Sequence, residues 1–77
     1  MPDKRAIRRL ANLAQRLQAA EQPLERAKLA TEIRDLADGL VASSIRDANR
    51  AGTTWREIGS ELGVPFQTLY RRYGGDG

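Results

Sequence analysis

Side chains that can bind phosphates and nucleobases are concentrated near the C-terminal end of the chain. Arg71 and Arg72 are adjacent, and Gln67 and Thr68 lie four residues before them. A guanidinium group donates paired hydrogen bonds to phosphate, and amide or hydroxyl groups bond to base edges as well as to phosphates. Arg56 adds another guanidinium earlier in the same stretch. These residue types favour contact with nucleic acid, although exposed polar residues on a short helix are also common without any function.

The chain lacks the residue types on which most catalysis and metal binding depend. Its 77 residues include neither cysteine nor histidine. Disulfides, thiolate metal sites and the commonest metal ligand and general base are therefore excluded. We expect no enzyme activity, no metal and no cofactor. No apolar run approaches the roughly 20 residues of a membrane span, and no secretory leader is visible, so a cytoplasmic protein without a membrane partner is expected.

Charge is distributed unevenly along the chain, whose net charge is +3. Residues 1–20 include five basic residues and one acidic residue, whereas residues 21–45 include three basic and five acidic residues. The two ends are therefore better suited to phosphates than the middle. Arg5, Arg9 and Arg16 could share one face of a first helix. They would then extend a DNA footprint, bind a partner, or form only a solvated face, which is the commonest outcome.

Apolar spacing predicts two helices before the C-terminal stretch. Asp3 can cap a first helix over about Lys4–Glu21, which Pro23 interrupts because proline cannot continue a helix from within. A second helix is predicted over about Leu24–Ala51, and it stops at Gly52.

The second helix is longer than a compact three-helix unit requires. Its end can pack Val41, Ile45 and Ala48 against the C-terminal stretch, and its first part can fold back on the first helix as an antiparallel hairpin. Gly39, between these parts, marks a bend, a close contact or a break. Two hairpins from two chains would bury the remaining apolar surface in a four-helix bundle, so we expect a homodimer; the alternative is an elongated monomer. The predicted dimer residues are Ile7, Leu10, Leu13, Leu17, Leu29, Ile33 and Leu36.

The stretch TTWREIGSELGVPFQTLYRRY predicts two short helices joined by a sharp turn. Thr54 lies three residues before Glu57, which is the spacing of a capping box at the start of a helix. Ile58 and Leu62 lie four residues apart, as on one buried helical face. Gly63 can adopt a positive φ and turn the chain.

Pro65 suits the first turn of the second short helix, which is predicted over Pro65–Tyr73. Leu69 and Tyr73 lie four residues apart and are predicted to face the core. Trp55 is predicted to pack the first short helix against its neighbour; stacking against a DNA sugar or phosphate is the alternative. Phe66 shares the 3–4 spacing of this apolar stripe, so a core position and a DNA-facing position are equally compatible with the sequence.

The same stretch resembles the helix-turn-helix families of DNA-binding proteins. Such motifs place a small residue four positions before the turn glycine, here Gly59, and apolar residues around the turn and within the second helix, here Leu62, Val64 and Leu69. TTWREIGSELGV resembles the TWxEIGxxLGV run of small actinobacterial helix-turn-helix proteins. GVPFQTLYRRY is similar to the end of the motif in tetracycline-repressor-like regulators and in DNA invertases and resolvases.

The resemblance implies binding to double-stranded DNA. It places Arg56 against the DNA backbone or a base, and Tyr70 against a phosphate. The chain departs from the relatives at Pro65, where Ser or Thr is usual, and at Phe66, where a polar or basic residue is usual. An apolar ring can contact a thymine methyl group but cannot form a bidentate hydrogen bond. The predicted DNA-binding residues are Thr54, Arg56, Phe66, Gln67, Thr68, Tyr70, Arg71 and Arg72.

We therefore expect an all-α protein of one domain, residues 1–77. Residues 1–40 are predicted to form a dimerising helical hairpin whose long second helix leads into a tri-helical helix-turn-helix unit in residues 41–77. The expected function is sequence-specific binding to double-stranded DNA as a homodimeric transcriptional regulator. The alternatives are a protein-interaction adaptor or antitoxin built on the same scaffold, and a weakly specific nucleoid-associated protein.

Overall fold

A computed structural model describes residues 3–74 of the chain. Within this range, four α-helices and one π-helical turn follow one another without any strand, which confirms the predicted all-α fold class. The elements are α1 (Lys4–Ala19), α2 (Pro23–Arg50), α3 (Trp55–Leu62), α4 (Phe66–Leu69) and the π-helical turn Tyr70–Gly74. The chain divides into two compact units between Leu40 and Val41, so α2 begins in the first unit and ends in the second. None of the helices in the described range is long and apolar enough to cross a membrane.

The first helix, α1, ends two residues earlier than the sequence predicts, at Ala19 rather than Glu21. The backbone of Ala20 is extended, with φ −73° and ψ 133°, and its N–H donates to two carbonyls of the last helical turn. Asp3 occupies the N-cap position, but its side chain does not form the predicted capping hydrogen bond. The end of α1 is thus set by the backbone change at Ala20, three residues before Pro23.

The second helix, α2, is continuous over 28 residues and does not break at Gly39. Pro23 is its first residue, where the missing N–H removes no intrahelical hydrogen bond. The helix starts one residue before the predicted Leu24 and ends at Arg50, one residue before the predicted Ala51; Gly52, two residues further on, has φ 111°. The N–H of Thr53 then donates to the carbonyl of Ala48 at 3.0 Å. This bond across a glycine of positive φ satisfies a carbonyl that the helix end leaves without an intrahelical partner.

The first unit has a small apolar core. Leu13 of α1 and Leu29 of α2 are buried, with 1% and 3% of their surfaces exposed. The guanidinium Nη2 of Arg9 lies 3.9 Å from Oε2 of Glu32, which pairs α1 with α2 about one helical turn from these leucines. Because both side chains are exposed, this ion pair contributes at most about 1 kcal/mol. Burial of the two leucines therefore matters more to the stability of this unit.

The second unit is built around three buried side chains from three helices. Ile45 of α2, Ile58 of α3 and Leu69 of α4 are exposed by 5%, 6% and 4%. The predicted core positions of Ile45 and Leu69 are therefore confirmed. The partly buried side chains that pack against this cluster are those of Ala48, Trp55, Val64 and Tyr73.

Two residues predicted to pack in this core lie outside it. The spacing predicts Leu62 beside Ile58, but Leu62 is 52% exposed. It is the last residue of α3, and Val64 packs against the core after the chain has turned. The spacing also predicts Val41 against the C-terminal helices, but Val41 is 45% exposed although Ile45, one turn later, is buried. Equal spacing along a helix therefore predicts which residues share a face, but not how far another element covers that face.

Candidate nucleic-acid interface

The turn between α3 and α4 brings the two helices into close contact. Gly63 has φ 70°, in the left-handed region, and the N–H of Val64 donates to the carbonyl of Gly59 at 2.9 Å. A Cβ atom on Gly59 would lie 2.5 Å from the carbonyl oxygen of Val64 and 3.2 Å from the backbone nitrogen of Phe66. Both neighbours are main-chain atoms, so they cannot move away as a flexible side chain would. Glycine at position 59 therefore sets how closely the two helices approach.

The second helical segment begins one residue later than the sequence predicts. Pro65 is the N-cap residue of α4 rather than its first residue, and its ψ of 134° is not helical. Its carbonyl accepts hydrogen bonds from the N–H groups of Thr68 and Leu69, at 3.0 and 3.4 Å. The π-helical turn continues the single turn of α4, so helical backbone extends from Phe66 to Gly74. Sequence spacing does not predict this widening of the helix.

The first residues of α3 form the predicted capping box. The Thr54 hydroxyl accepts a hydrogen bond from the N–H of Glu57 at 3.1 Å, and it donates to the Glu57 carboxylate at 3.0 Å. The N–H of Thr54 also donates to that carboxylate, at 3.0 Å. The predicted DNA contact of Thr54 would therefore compete with bonds that begin the helix.

The capping box makes the stability of the chain dependent on pH in the acid range. The hydrogen bond from the Thr54 backbone N–H, and then the bond from its hydroxyl, lower the pKa of Glu57 below the ordinary value of 4.5. A carboxyl whose pKa is depressed on folding stabilises the protein above its unfolded pKa and loses that contribution as pH falls through its folded pKa. We expect a larger fall in Tm between about pH 5 and about pH 3 for the wild type than for Glu57→Gln, whose amide does not titrate. Melting curves by circular dichroism measure this difference. An equal fall in Tm for the wild type and for Glu57→Gln would contradict the prediction.

Arg56 and Phe66 form a stacked pair across the turn. The guanidinium carbon of Arg56 lies 4.6 Å from the centroid of the Phe66 ring, which is a cation–π contact. Arg56 is exposed and Phe66 is half-buried, so the ring lies beneath the guanidinium and is neither a fully buried core residue nor a freely exposed one. A guanidinium held in this way keeps N–H groups available for an anion.

Trp55 and Tyr70 form a second ring contact beside this pair. Their ring centroids are 5.9 Å apart and their planes meet at 84°, which is an edge-to-face arrangement. Trp55 packs against the core as predicted, whereas Tyr70 is 55% exposed. A surface groove of about 510 Å³ lies between the two contacts. The residues that line it are Thr54, Trp55, Arg56, Phe66 and Tyr70.

The other predicted DNA-binding residues lie on α4 and the π-helical turn. Gln67, Arg71 and Arg72 are exposed, and Thr68 is half-buried. The guanidinium carbon of Arg72 lies 6.0 Å from the centroid of the Tyr73 ring, at the outer limit of a cation–π contact. Gln67 and Arg71 are four residues apart and therefore lie one helical turn from each other along the same segment.

No protein-family model, curated protein or solved structure matches this chain. The resemblance of its C-terminal stretch to helix-turn-helix proteins therefore stays a prediction from sequence. The structure brings four of the predicted DNA-binding residues to one groove: Thr54, Arg56, Phe66 and Tyr70. Sequence reasoning did not predict the Arg56–Phe66 contact, because ten residues separate the two positions and only the turn makes them neighbours.

Within residues 3–74, no group of three or more acidic side chains could hold a metal ion.

Proposed function

We propose that this chain is a helix-turn-helix protein that binds double-stranded DNA with sequence specificity. The observation that carries this function is the close contact at Gly59, where the backbone of the turn leaves no room for a side chain. It holds α3 and the segment after it at a short, fixed separation. In a helix-turn-helix, such a pair lets one helix cross the DNA backbone while the second enters the major groove.

The exposed side chains of the second unit then have distinct roles. Gln67 and Arg71 would meet base edges and phosphates in the groove, since amide and guanidinium groups suit both. Arg56 would bind a phosphate beside α3. Phe66 would act as a positioning residue that limits the rotamers of Arg56 through the 4.6 Å contact. An apolar residue at this position then serves DNA binding without touching a base.

The experiment that tests this function is the selection of bound sequences from a random duplex pool. A two-fold dimer places its two second helices about 34 Å apart, so we expect enrichment of an inverted repeat with half-sites about one turn of DNA apart. Enrichment without a repeat would indicate a monomeric reader. Retention of DNA without enrichment would favour a weakly specific nucleoid-associated protein, and no retention would exclude both DNA functions.

We also propose that the chain is a homodimer formed through its first unit. Leu13 and Leu29 are already buried within one chain, so they would not form the contact themselves. The residues left for a second chain are Ile7, which is 56% exposed, and the half-buried Leu10, Leu17, Ile33 and Leu36. Two buried leucines make a small core for this unit, and a second hairpin would cover the apolar stripe around them.

Charge placed on this stripe is expected to separate the dimer. In the dimer, Ile33→Glu would bury a carboxylate between the two chains, where it has no ion-pair or hydrogen-bond partner. Burial of such a charge costs far more free energy than an exposed charge. We expect the wild type to sediment at twice its mass of 8.6 kDa at micromolar concentration, and Ile33→Glu to sediment as a monomer. Thr31→Glu is the matched control, because Thr31 is exposed on the same helix. A wild type that is already monomeric under these conditions would contradict the dimer.

A further inference from the structure

The second unit has another concave surface, between α2 and α3, that the proposed DNA contact does not use. We call it the α2–α3 groove, and its volume is about 260 Å³. Ile45 and Ile58, both buried, contribute its apolar floor. The full lining is Ser44, Ile45, Ala48, Thr53, Glu57, Ile58, Glu61 and Leu62.

A large aliphatic side chain is exposed in this groove. Leu62, in its lining, is 52% exposed, and it lies beside the apolar floor that Ile45 and Ile58 contribute. A single exposed aliphatic residue needs no explanation by itself, but an apolar concavity with such a residue in its lining is suited to an interaction. An apolar groove of this size can accept the anchoring side chains of a protein segment, as in helix-in-groove recognition.

The charges of the groove restrict what can occupy it. Its two charged lining residues are Glu57 and Glu61, which are exposed and four residues apart on α3, and no basic residue lines it. Two neighbouring carboxylates repel phosphates, so DNA is disfavoured. A second copy docked groove to groove about a two-fold axis is disfavoured too, because it would bring four carboxylates together. A partner with basic side chains beside an apolar anchor complements the groove.

We propose that the α2–α3 groove binds an amphipathic helix of another protein, with aliphatic or aromatic anchors in the groove and Lys or Arg beside them. The partner would approach the side of α3 that carries Glu57 and Glu61. Arg56, which is proposed to bind a phosphate, precedes Glu57 by one position, so it lies about 100° away from Glu57 around the same helix. The partner and DNA would therefore use different sides of α3, and one unit could bind both.

A pair of synthetic peptides tests this docking surface. The first is a helix of about 16 residues with leucine at i, i+3, i+4 and i+7 and with lysine and glutamine elsewhere. The second has glutamate in place of each lysine. By calorimetry we expect the lysine peptide to bind the full chain with a Kd of about 1–100 μM, and the glutamate peptide to bind at least about tenfold more weakly. Amide shift changes in a ¹⁵N spectrum should concentrate in residues 41–62.

Two variants test whether the peptide binds in the α2–α3 groove. Leu62→Ser removes an exposed anchor contact and Glu61→Lys reverses a charge, and each should weaken the lysine peptide by at least about tenfold. Both residues are exposed, so the variants should keep the circular dichroism spectrum and Tm of the wild type. Arg71→Ala is the matched control. It should weaken DNA binding and leave the peptide affinity unchanged. Leu62→Ser, which changes no charge, should weaken peptide binding and leave the DNA affinity unchanged.

Each outcome of these titrations decides for or against the groove. No binding of the lysine peptide, or binding that Leu62→Ser and Glu61→Lys do not weaken, would overturn the docking site. A change in sedimenting mass caused by Leu62→Ser would overturn it in favour of a second copy as the occupant. If the chain binds the lysine peptide but binds no DNA, the docking site is supported and the proposed function is contradicted.

Discussion

Replacing Gly59 with alanine is expected to destabilise the protein by about 3 kcal/mol, at the upper end of the usual effect of overpacking. The added methyl carbon would lie 2.5 Å from the Val64 carbonyl oxygen and 3.2 Å from the Phe66 nitrogen. Relief requires the turn to move, which would disturb the hydrogen bond from the Val64 N–H to the Gly59 carbonyl. In a chain of this size, such a loss lowers Tm by about 12–24 °C. Thermal melts followed by circular dichroism, together with fluorescence from Trp55, measure it.

Gly39→Ala is the matched control for this substitution. A Cβ atom on Gly39 would meet nothing within 4 Å, and the residue lies in the middle of α2. Alanine is a better helix former than glycine by about 1 kcal/mol, so this variant should be more stable than the wild type. The opposite signs separate a local clash from a general response to glycine substitution. A Gly59→Ala variant with the Tm of the wild type would show that α3 and α4 do not approach as closely as described.

Replacing Arg56 with alanine is expected to lower the affinity for a selected DNA duplex by about tenfold or more, given the 1.5–3 kcal/mol typical of hydrogen bonds to charged groups. In the proposed complex this guanidinium binds one phosphate, so its removal should lower the slope of log affinity against log salt by about one. Arg34→Ala is the matched control, because Arg34 is exposed in the acidic middle of the chain and pairs with Asp35 at 3.3 Å. Fluorescence anisotropy titrations over several salt concentrations measure both quantities.

Substitution of Phe66 tests whether its ring limits the rotamers of the Arg56 side chain. Phe66→Leu keeps an apolar side chain but removes the ring, and with it a cation–π contact worth about 0.5–1 kcal/mol at an exposed site. We expect this variant to bind DNA about two- to fivefold more weakly in the wild-type background. It should have no further effect in an Arg56→Ala background, since the two substitutions remove one interaction. Additive losses would mean that the Phe66 side chain contacts DNA itself.

Local sequence signals predicted much of the C-terminal stretch. The Thr54–Glu57 capping box and the turn at Gly63 depend on residues a few positions apart, so their spacing alone specifies their geometry. Gly59 could be singled out only through the resemblance to helix-turn-helix motifs. The reason for a glycine there, contact with main-chain atoms after the turn, requires the three-dimensional structure.

The features that sequence reasoning missed depend on elements that meet in space. Leu62 has the spacing of a buried residue, but α3 ends at this position and Val64 packs against the core after the turn. The Arg56–Phe66 stack arises because the turn brings the start of α4 beside α3. The α2–α3 groove has no sequence signature either, since its lining comes from two helices and the segment between them.

The most direct test of the proposed function is a titration of a selected duplex with the wild-type chain at about 50 mM salt, followed by fluorescence anisotropy and repeated at about 200 mM salt. We expect saturable binding at the lower concentration, a loss of affinity at the higher one, and weaker binding to a random duplex of equal length. Equal affinity for the selected and random duplexes would contradict sequence specificity. The absence of binding at about 50 mM salt, where attraction to phosphates is strong, would contradict DNA binding itself.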